Sequence, residues 1–66
     1  MELRWTDAAA IGEALFDAHP DLDPLMLSFV RLHELVTALQ GFSDDPEKSN
    51  ERILEAILQA WLEERD

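Results

Sequence analysis

Carboxylates are the chemically capable groups that dominate this sequence. The 66 residues include 15 Asp and Glu against five Lys and Arg, which gives a formal net charge of −10. Carboxylate oxygens bind hard cations and attract basic protein surfaces. The chain has no cysteine, so thiolate metal sites, cysteine-ligated clusters, disulfides and thiol nucleophiles are all excluded.

Two groups of acids have compositions that suit a hard cation. Neither group has the spacing of an EF-hand loop, so the sequence predicts shallow, weak sites for iron, manganese or calcium. The alternative interpretation is that both groups are solvated faces. The predicted metal ligands are Glu13, Asp17, Asp21 and Asp23 in the first group, and Asp44, Asp45, Glu47, Glu51 and Glu55 in the second.

A further set of acids is predicted to contact a protein. Several lie at the end of the last predicted helix, where carboxylates oppose the helix macrodipole and stability alone favours Lys or Arg. One interpretation is an acidic contact surface, and the other is a frayed, solvating end. The predicted partner-binding residues are Asp7, Glu13, Asp17, Glu55, Glu63, Glu64 and Asp66.

Other kinds of chemistry have little support in the sequence. His19 and His33 lack the four-residue spacing of a paired zinc site, and neither a nucleophile elbow nor a phosphate-binding glycine loop is present. So short a chain has little volume for a substrate pocket, and we expect a protein that is not an enzyme. The five scattered cations argue against binding to nucleic acids or anionic membranes.

The first predicted helix positions part of the first acidic group. Thr6 is predicted to cap this helix, Ile11 and Leu15 mark its buried stripe, and Pro20 ends it. After a turn, Asp23 is predicted to cap a short element that begins with Pro24.

Two more helices are predicted from the middle of the chain onward. Ser28 is a candidate cap for the second, whose apolar stripe is expected to end at Gly41. The last helix begins either at Pro46 or after a cap at Ser49, and we favour Ser49. Its apolar side is predicted to contain Ile53, Leu54, Ile57, Leu58 and Trp61.

Length and composition predict one globular domain, and the helices predicted above make it mainly all-α. Apolar residues make up 47% of the chain, a globular rather than a disordered fraction. No apolar run approaches the roughly 18 residues of a membrane span, and the first residues lack the layout of a signal peptide. We therefore expect a soluble, cytoplasmic protein.

An ordered set of short motifs along the whole chain resembles a known family. The motifs are Leu3-Arg4-Trp5-Thr6-Asp7, Ile11-Gly12-Glu13-Ala14-Leu15, Asp21-Leu22-Asp23-Pro24, Asp44-Asp45-Pro46, Ser49-Asn50-Glu51, Ile53-Leu54-Glu55-Ala56-Ile57 and Trp61-Leu62. Together they closely resemble the IscX (YfhJ) family, the small acidic accessory proteins of bacterial iron–sulfur cluster assembly.

The resemblance implies a specific fold and function. The fold would be a single winged-helix-like domain over residues 1–66, with three to four helices and at most short strands. The protein would bind the cysteine desulfurase IscS, bind iron weakly through acidic surface residues, and regulate cluster assembly without being an enzyme. It would overlap with bacterial frataxin on the desulfurase and act as an iron donor or sensor.

Two stretches depart from the family pattern. Arg31 stands where the family has an acid. Residues 25–27 are more apolar than the family pattern, and they form either a deeper part of the core or an exposed patch that associates.

Two functions of other classes stay open beside the resemblance. One is an acidic nucleic-acid mimic that blocks a basic protein and is indifferent to iron. The other is a structural module stabilised by calcium or manganese, which would show a large melting shift with that metal.

Overall fold

Three α-helices and two 3₁₀ turns make up the computed structural model, which describes residues 2–66. The helices are α1 (Ala8–Ala18), α2 (Phe29–Thr37) and α3 (Glu51–Arg65), and the turns are Pro24–Met26 and Pro46–Lys48. A parallel bridge between Leu3 and Phe42 is the only isolated strand pairing in this part of the chain. The predicted all-α class is confirmed. Within residues 2–66, none of the helices combines the length and apolarity needed to cross a membrane.

The core lies between α1 and α3, with α2 packed against them. The predicted stripes supply most of it, since the side chains of Ile11, Leu15, Leu32 and Ile57 are almost fully buried. The buried hydrophobic residues are Leu3, Trp5, Ile11, Leu15, Leu32, Leu35, Val36, Leu54, Ile57 and Trp61. The acids are therefore carried on the outside of a bundle in which, among the described residues, no polar or charged residue is buried.

Helix starts follow the predicted caps closely. The Ser28 hydroxyl accepts from the Arg31 amide at 3.1 Å, and the Asp23 carboxylate accepts from the Leu25 amide at 3.0 Å, both as predicted. The cap of α3 is Asn50, whose side chain accepts from the Ile53 amide at 2.9 Å. The predicted cap, Ser49, is thus wrong by one residue.

The cap of α1 also differs from the prediction by one residue. Asp7, rather than Thr6, occupies the position before the helix, and its side chain makes no hydrogen bond to the first turn. Its carboxylate instead accepts from the Arg4 amide at 3.1 Å. The Asp7 side chain therefore stabilises the segment that leads into α1, not the first turn of the helix.

The end of α2 was predicted too late in the sequence. The helix ends at Thr37, whose hydroxyl lies 3.0 Å from the His33 carbonyl and 3.1 Å from the Glu34 carbonyl. Gly41 has a φ of 94°, which favours glycine, and its carbonyl accepts from the Leu3 amide at 2.8 Å. Gly41 therefore turns the chain into the bridge instead of ending the helix.

Candidate acidic binding surface

Glu13 and Asp17 lie one turn apart on α1 and face a shared groove. The groove has a volume of about 260 Å³ and is also lined by Gln40. Both carboxylates are exposed. Because side chains four residues apart on a helix are neighbours, this pair presents oxygen atoms together at the surface.

The other two acids of the first predicted group lie elsewhere. Asp21 borders a separate groove of about 480 Å³, which Arg31 also lines. The Asp23 carboxylate is used at the start of the 3₁₀ turn, where it accepts from Leu25. The first group is therefore divided between two surfaces.

An arginine connects the C-terminal acids to the loop after α1. The Arg65 guanidinium donates from Nη1 to the Leu22 carbonyl at 2.7 Å. This contact holds the end of α3 against the loop that carries Asp21 and Asp23. We call the resulting surface the acidic end of the molecule. It consists of Asp21, Asp23, Glu63, Glu64 and Asp66, all of which are exposed.

Asp44 connects the N-terminal segment to the loop between α2 and α3. One carboxylate oxygen accepts from the Trp5 amide at 3.1 Å and the other accepts from the Asp45 amide at 2.7 Å. These two backbone hydrogen bonds, with that from Trp5 the stronger cause, lower the pKa of Asp44 below its usual value. Asp45 in turn accepts from the Glu47 amide at 3.0 Å. Both carboxylates thus organise the loop.

An aromatic pair holds the same loop in place. The Trp5 indole donates from Nε1 to the Asp45 carbonyl at 2.6 Å. The His33 ring stacks on Trp5 with centroids 5.4 Å apart, and its Nε2 lies 2.6 Å from the Pro46 carbonyl. Because a carbonyl oxygen can only accept, His33 donates this hydrogen bond. The sequence predicted no such role for His33.

The remaining predicted acids are solvent-exposed. Within residues 2–66, no side-chain hydrogen bond is formed by Glu47, Glu51 or Glu55. The Asp7 carboxylate accepts a hydrogen bond from the Arg4 amide. Arg31, the departure from the family pattern, pairs with Glu34 at 3.1 Å, and both side chains are exposed. Its positive charge is therefore compensated locally.

The acids do not form a preorganised metal centre. In the part of the chain that the structure describes, no group of three or more His, Asp or Glu side chains is arranged to hold a metal ion. A resident, multiply ligated metal cofactor therefore does not fit these residues. Surface binding of an exchangeable ion by one or two carboxylates stays a prediction for the nine nominated residues.

Comparison with known proteins gives two findings. The family model described as iron-sulphur cluster assembly matches residues 3–66. An uncharacterized protein of Pseudomonas aeruginosa is 48% identical over 66 residues, and the match covers all of both chains.

Proposed function

This chain belongs to the iron-sulphur cluster assembly family, and we propose that it is an accessory protein that binds the cysteine desulfurase IscS through its acidic surface. In this proposal it regulates cluster assembly in the cytoplasm by binding, and it does not catalyse a reaction itself. It shares the desulfurase surface with bacterial frataxin, so that the two compete.

The observation that carries the proposal is the acidic end. The contact of Arg65 with the Leu22 carbonyl at 2.7 Å brings acids from two distant parts of the sequence to one surface. Clustered carboxylates steer association with a basic patch and raise the association rate, and salt screens this attraction. A desulfurase with a basic surface patch would recognise this chemistry.

Iron enters the proposal as an exchangeable ligand. Carboxylates supply the oxygen atoms that hard cations prefer, and weak binding is expected because no three ligands are preorganised among residues 2–66. Glu13 and Asp17 are the nominated pair that borders one groove. The protein would supply or sense iron in this way without holding a cluster, since it has no cysteine.

Iron and the desulfurase would then influence each other. A cation on the carboxylates neutralises part of the surface charge, and the attraction to a basic patch falls. By linkage, desulfurase binding weakens iron binding by the same factor. Iron occupancy would thus regulate how much of the protein is docked.

The test is a titration of the purified protein with the desulfurase, in which binding is measured by calorimetry and by NMR. Each titration is run at about 50 mM and about 500 mM salt, with and without ferrous iron, because exposed charges are screened over about 10 Å at 0.1 M. We expect binding at low salt, at least tenfold weaker binding at high salt, and weaker binding when iron is present.

Frataxin provides the control for the binding site. We expect added frataxin to displace the protein from the desulfurase, and the NMR footprint to fall on the acidic end. The proposal is wrong if the desulfurase does not bind at either salt concentration. Equal affinities with and without iron would remove only the link to iron.

A further inference from the structure

Three large apolar side chains are exposed between α1 and the first turn of α2. Leu25 is 68% exposed, Met26 80% and Val30 71%. The sequence left open whether residues 25–27 belong to the core or to an exposed patch, and Leu25 and Met26 are on the surface. We call these three side chains the apolar patch. All three lie within residues 25–30, and a concentration of exposed apolar side chains marks a binding site more often than scattered single residues do.

The apolar patch adjoins a recess. Val30 borders a groove of about 420 Å³, which Phe29, His33, Glu34 and Leu54 also line. Most of this lining is apolar side chain, and Glu34 already pairs with Arg31. The surface thus offers exposed apolar side chains at Leu25 and Met26, and a groove at Val30 that can receive a partner's side chain.

Acids lie directly beside the apolar patch. Asp23 accepts from the Leu25 amide, and Asp21 lies two residues earlier on the same loop. Through Arg65, the C-terminal acids are held against this loop as well. The apolar patch therefore adjoins the acidic end, and a partner that covers the patch must also contact these acids.

Charge decides between the possible occupants. A second copy of this chain would bring another formal charge of −10 to the interface, and its own acids would lie beside the same patch. An anionic membrane surface would be repelled in the same way. A basic protein surface is the occupant whose charge is complementary.

We infer that the apolar patch of Leu25, Met26 and Val30 docks into an apolar recess that is bordered by Lys and Arg on a protein partner. This inference rests on the proposed function, in which the partner is the desulfurase. The acids accelerate and orient the encounter, and the apolar contact slows dissociation.

The test compares variants of the apolar patch with a matched control. Leu25→Ser/Met26→Ser removes two exposed apolar side chains, and Val30→Thr keeps the shape of the third while replacing one methyl group with a hydroxyl. The control, Ala9→Ser/Ala56→Ser, also introduces two serines, at exposed positions of α1 and α3 where no large apolar side chain is lost. Circular dichroism and urea unfolding verify that each variant is folded, and affinity for the desulfurase is measured at low and high salt.

We expect the double variant of the patch to bind about tenfold more weakly, and Val30→Thr about two- to threefold more weakly. The factor should be the same at both salt concentrations, because apolar contacts are not screened. The control should bind as the wild type does.

Three results would overturn the inference, each in a recognisable way. If the wild type binds the desulfurase and the patch variants bind equally well, the inference alone fails. If the wild type does not bind at either salt concentration, the proposed function fails and the inference falls with it. If sedimentation shows a dimer that Leu25→Ser/Met26→Ser abolishes, the patch is a self-association surface instead.

Discussion

Asp44 shows how one carboxylate can be committed to structure in a chain rich in acids. Both of its oxygens accept backbone hydrogen bonds, one from Trp5 and one from Asp45. The bond from Trp5 ties the N-terminal segment to the loop before α3, beside the contacts of the indole and His33. An acid used in this way contributes to stability only while it is ionised.

The lowered pKa of Asp44 predicts a specific pH dependence of stability. Because the pKa is lower in the folded than in the unfolded protein, the contribution is fully present above the unfolded value of about 3.9. It is lost as the pH falls through the folded value. Asp44→Asn should therefore destabilise the protein at pH 7, and the difference from the wild type should shrink towards pH 3, as measured by urea unfolding.

Asp17→Asn is the control for this prediction. Asp17 carries the same charge as Asp44, but it is exposed and accepts no hydrogen bond within residues 2–66. Its amide should leave the unfolding free energy nearly unchanged at both pH values. If the unfolding free energies of Asp44→Asn and the wild type differed by the same amount from pH 7 to pH 3, the charge of Asp44 would not contribute to stability.

The role of Asp44 could not be predicted from its neighbours in sequence. The stretch Asp44-Asp45-Pro46 is typical of a helix start, and it also contains two of the predicted metal ligands. The predicted start of an element at Pro46 is confirmed, since Asp45 caps the 3₁₀ turn that begins there. The contacts with Trp5 and His33 join residues far apart in the chain, and no local pattern specifies such pairs.

Helix boundaries were predicted where the signal is a local hydrogen bond. Asp23 and Ser28 each cap the element that directly follows them, so their side chains and targets are only two or three residues apart. The end of α2 was wrong because Gly41 serves the bridge to Leu3, a contact with the other end of the chain. A glycine with positive φ marks a turn, but the sequence alone does not say which element the turn follows.

The packing of α1 on α3 depends on the absence of a side chain at Gly12. A Cβ there would lie 2.8 Å from the Ala60 Cβ and 2.8 Å from the Trp61 amide nitrogen. Gly12→Ala should therefore destabilise the fold by about 1–3 kcal/mol through overpacking. This loss should appear although helix propensity favours Ala over Gly by about 0.5–1 kcal/mol. Chemical unfolding measures the difference.

Gln59→Ala supplies the control for the interface of α1 and α3. Gln59 precedes the contacted residues on α3 but is exposed, and its substitution should change the unfolding free energy by less than about 0.5 kcal/mol. A Gly12→Ala variant as stable as the wild type would mean that α1 and α3 can separate at little cost.

The charge of the whole molecule is distributed by the fold in a way that composition cannot reveal. The sequence predicted the acids as the functional groups and divided them into groups by their positions along the chain. The structure instead places Glu13 and Asp17 at one groove, and Asp21, which shares a loop with Asp23, at another. It also joins this loop to the end of α3 through Arg65. Sequence spacing specifies neighbours within one helix, whereas the acidic end depends on how two elements pack.

The acids at the end of α3 lead to opposite predictions for stability and for binding. Carboxylates near a helix C-terminus oppose the macrodipole, so Glu63→Gln/Glu64→Gln should raise the unfolding free energy by about 0.3–1 kcal/mol per residue. The same variant should bind the desulfurase more weakly and with a smaller salt dependence, because two charges of the acidic end are lost. Urea unfolding and calorimetric titration on one preparation measure both effects.

Glu51→Gln is the matched control, since it removes the same chemical group from the other end of α3. Glu51 lies in the first turn of α3, where a carboxylate favours the dipole, so its amide should lower stability by about 0.3–1 kcal/mol. It lies outside the acidic end and should leave desulfurase binding nearly unchanged. If the Glu63→Gln/Glu64→Gln variant gained stability without losing affinity, these two acids would only keep the molecule soluble. A gain in stability together with a loss of affinity is expected only if the acids are retained for binding.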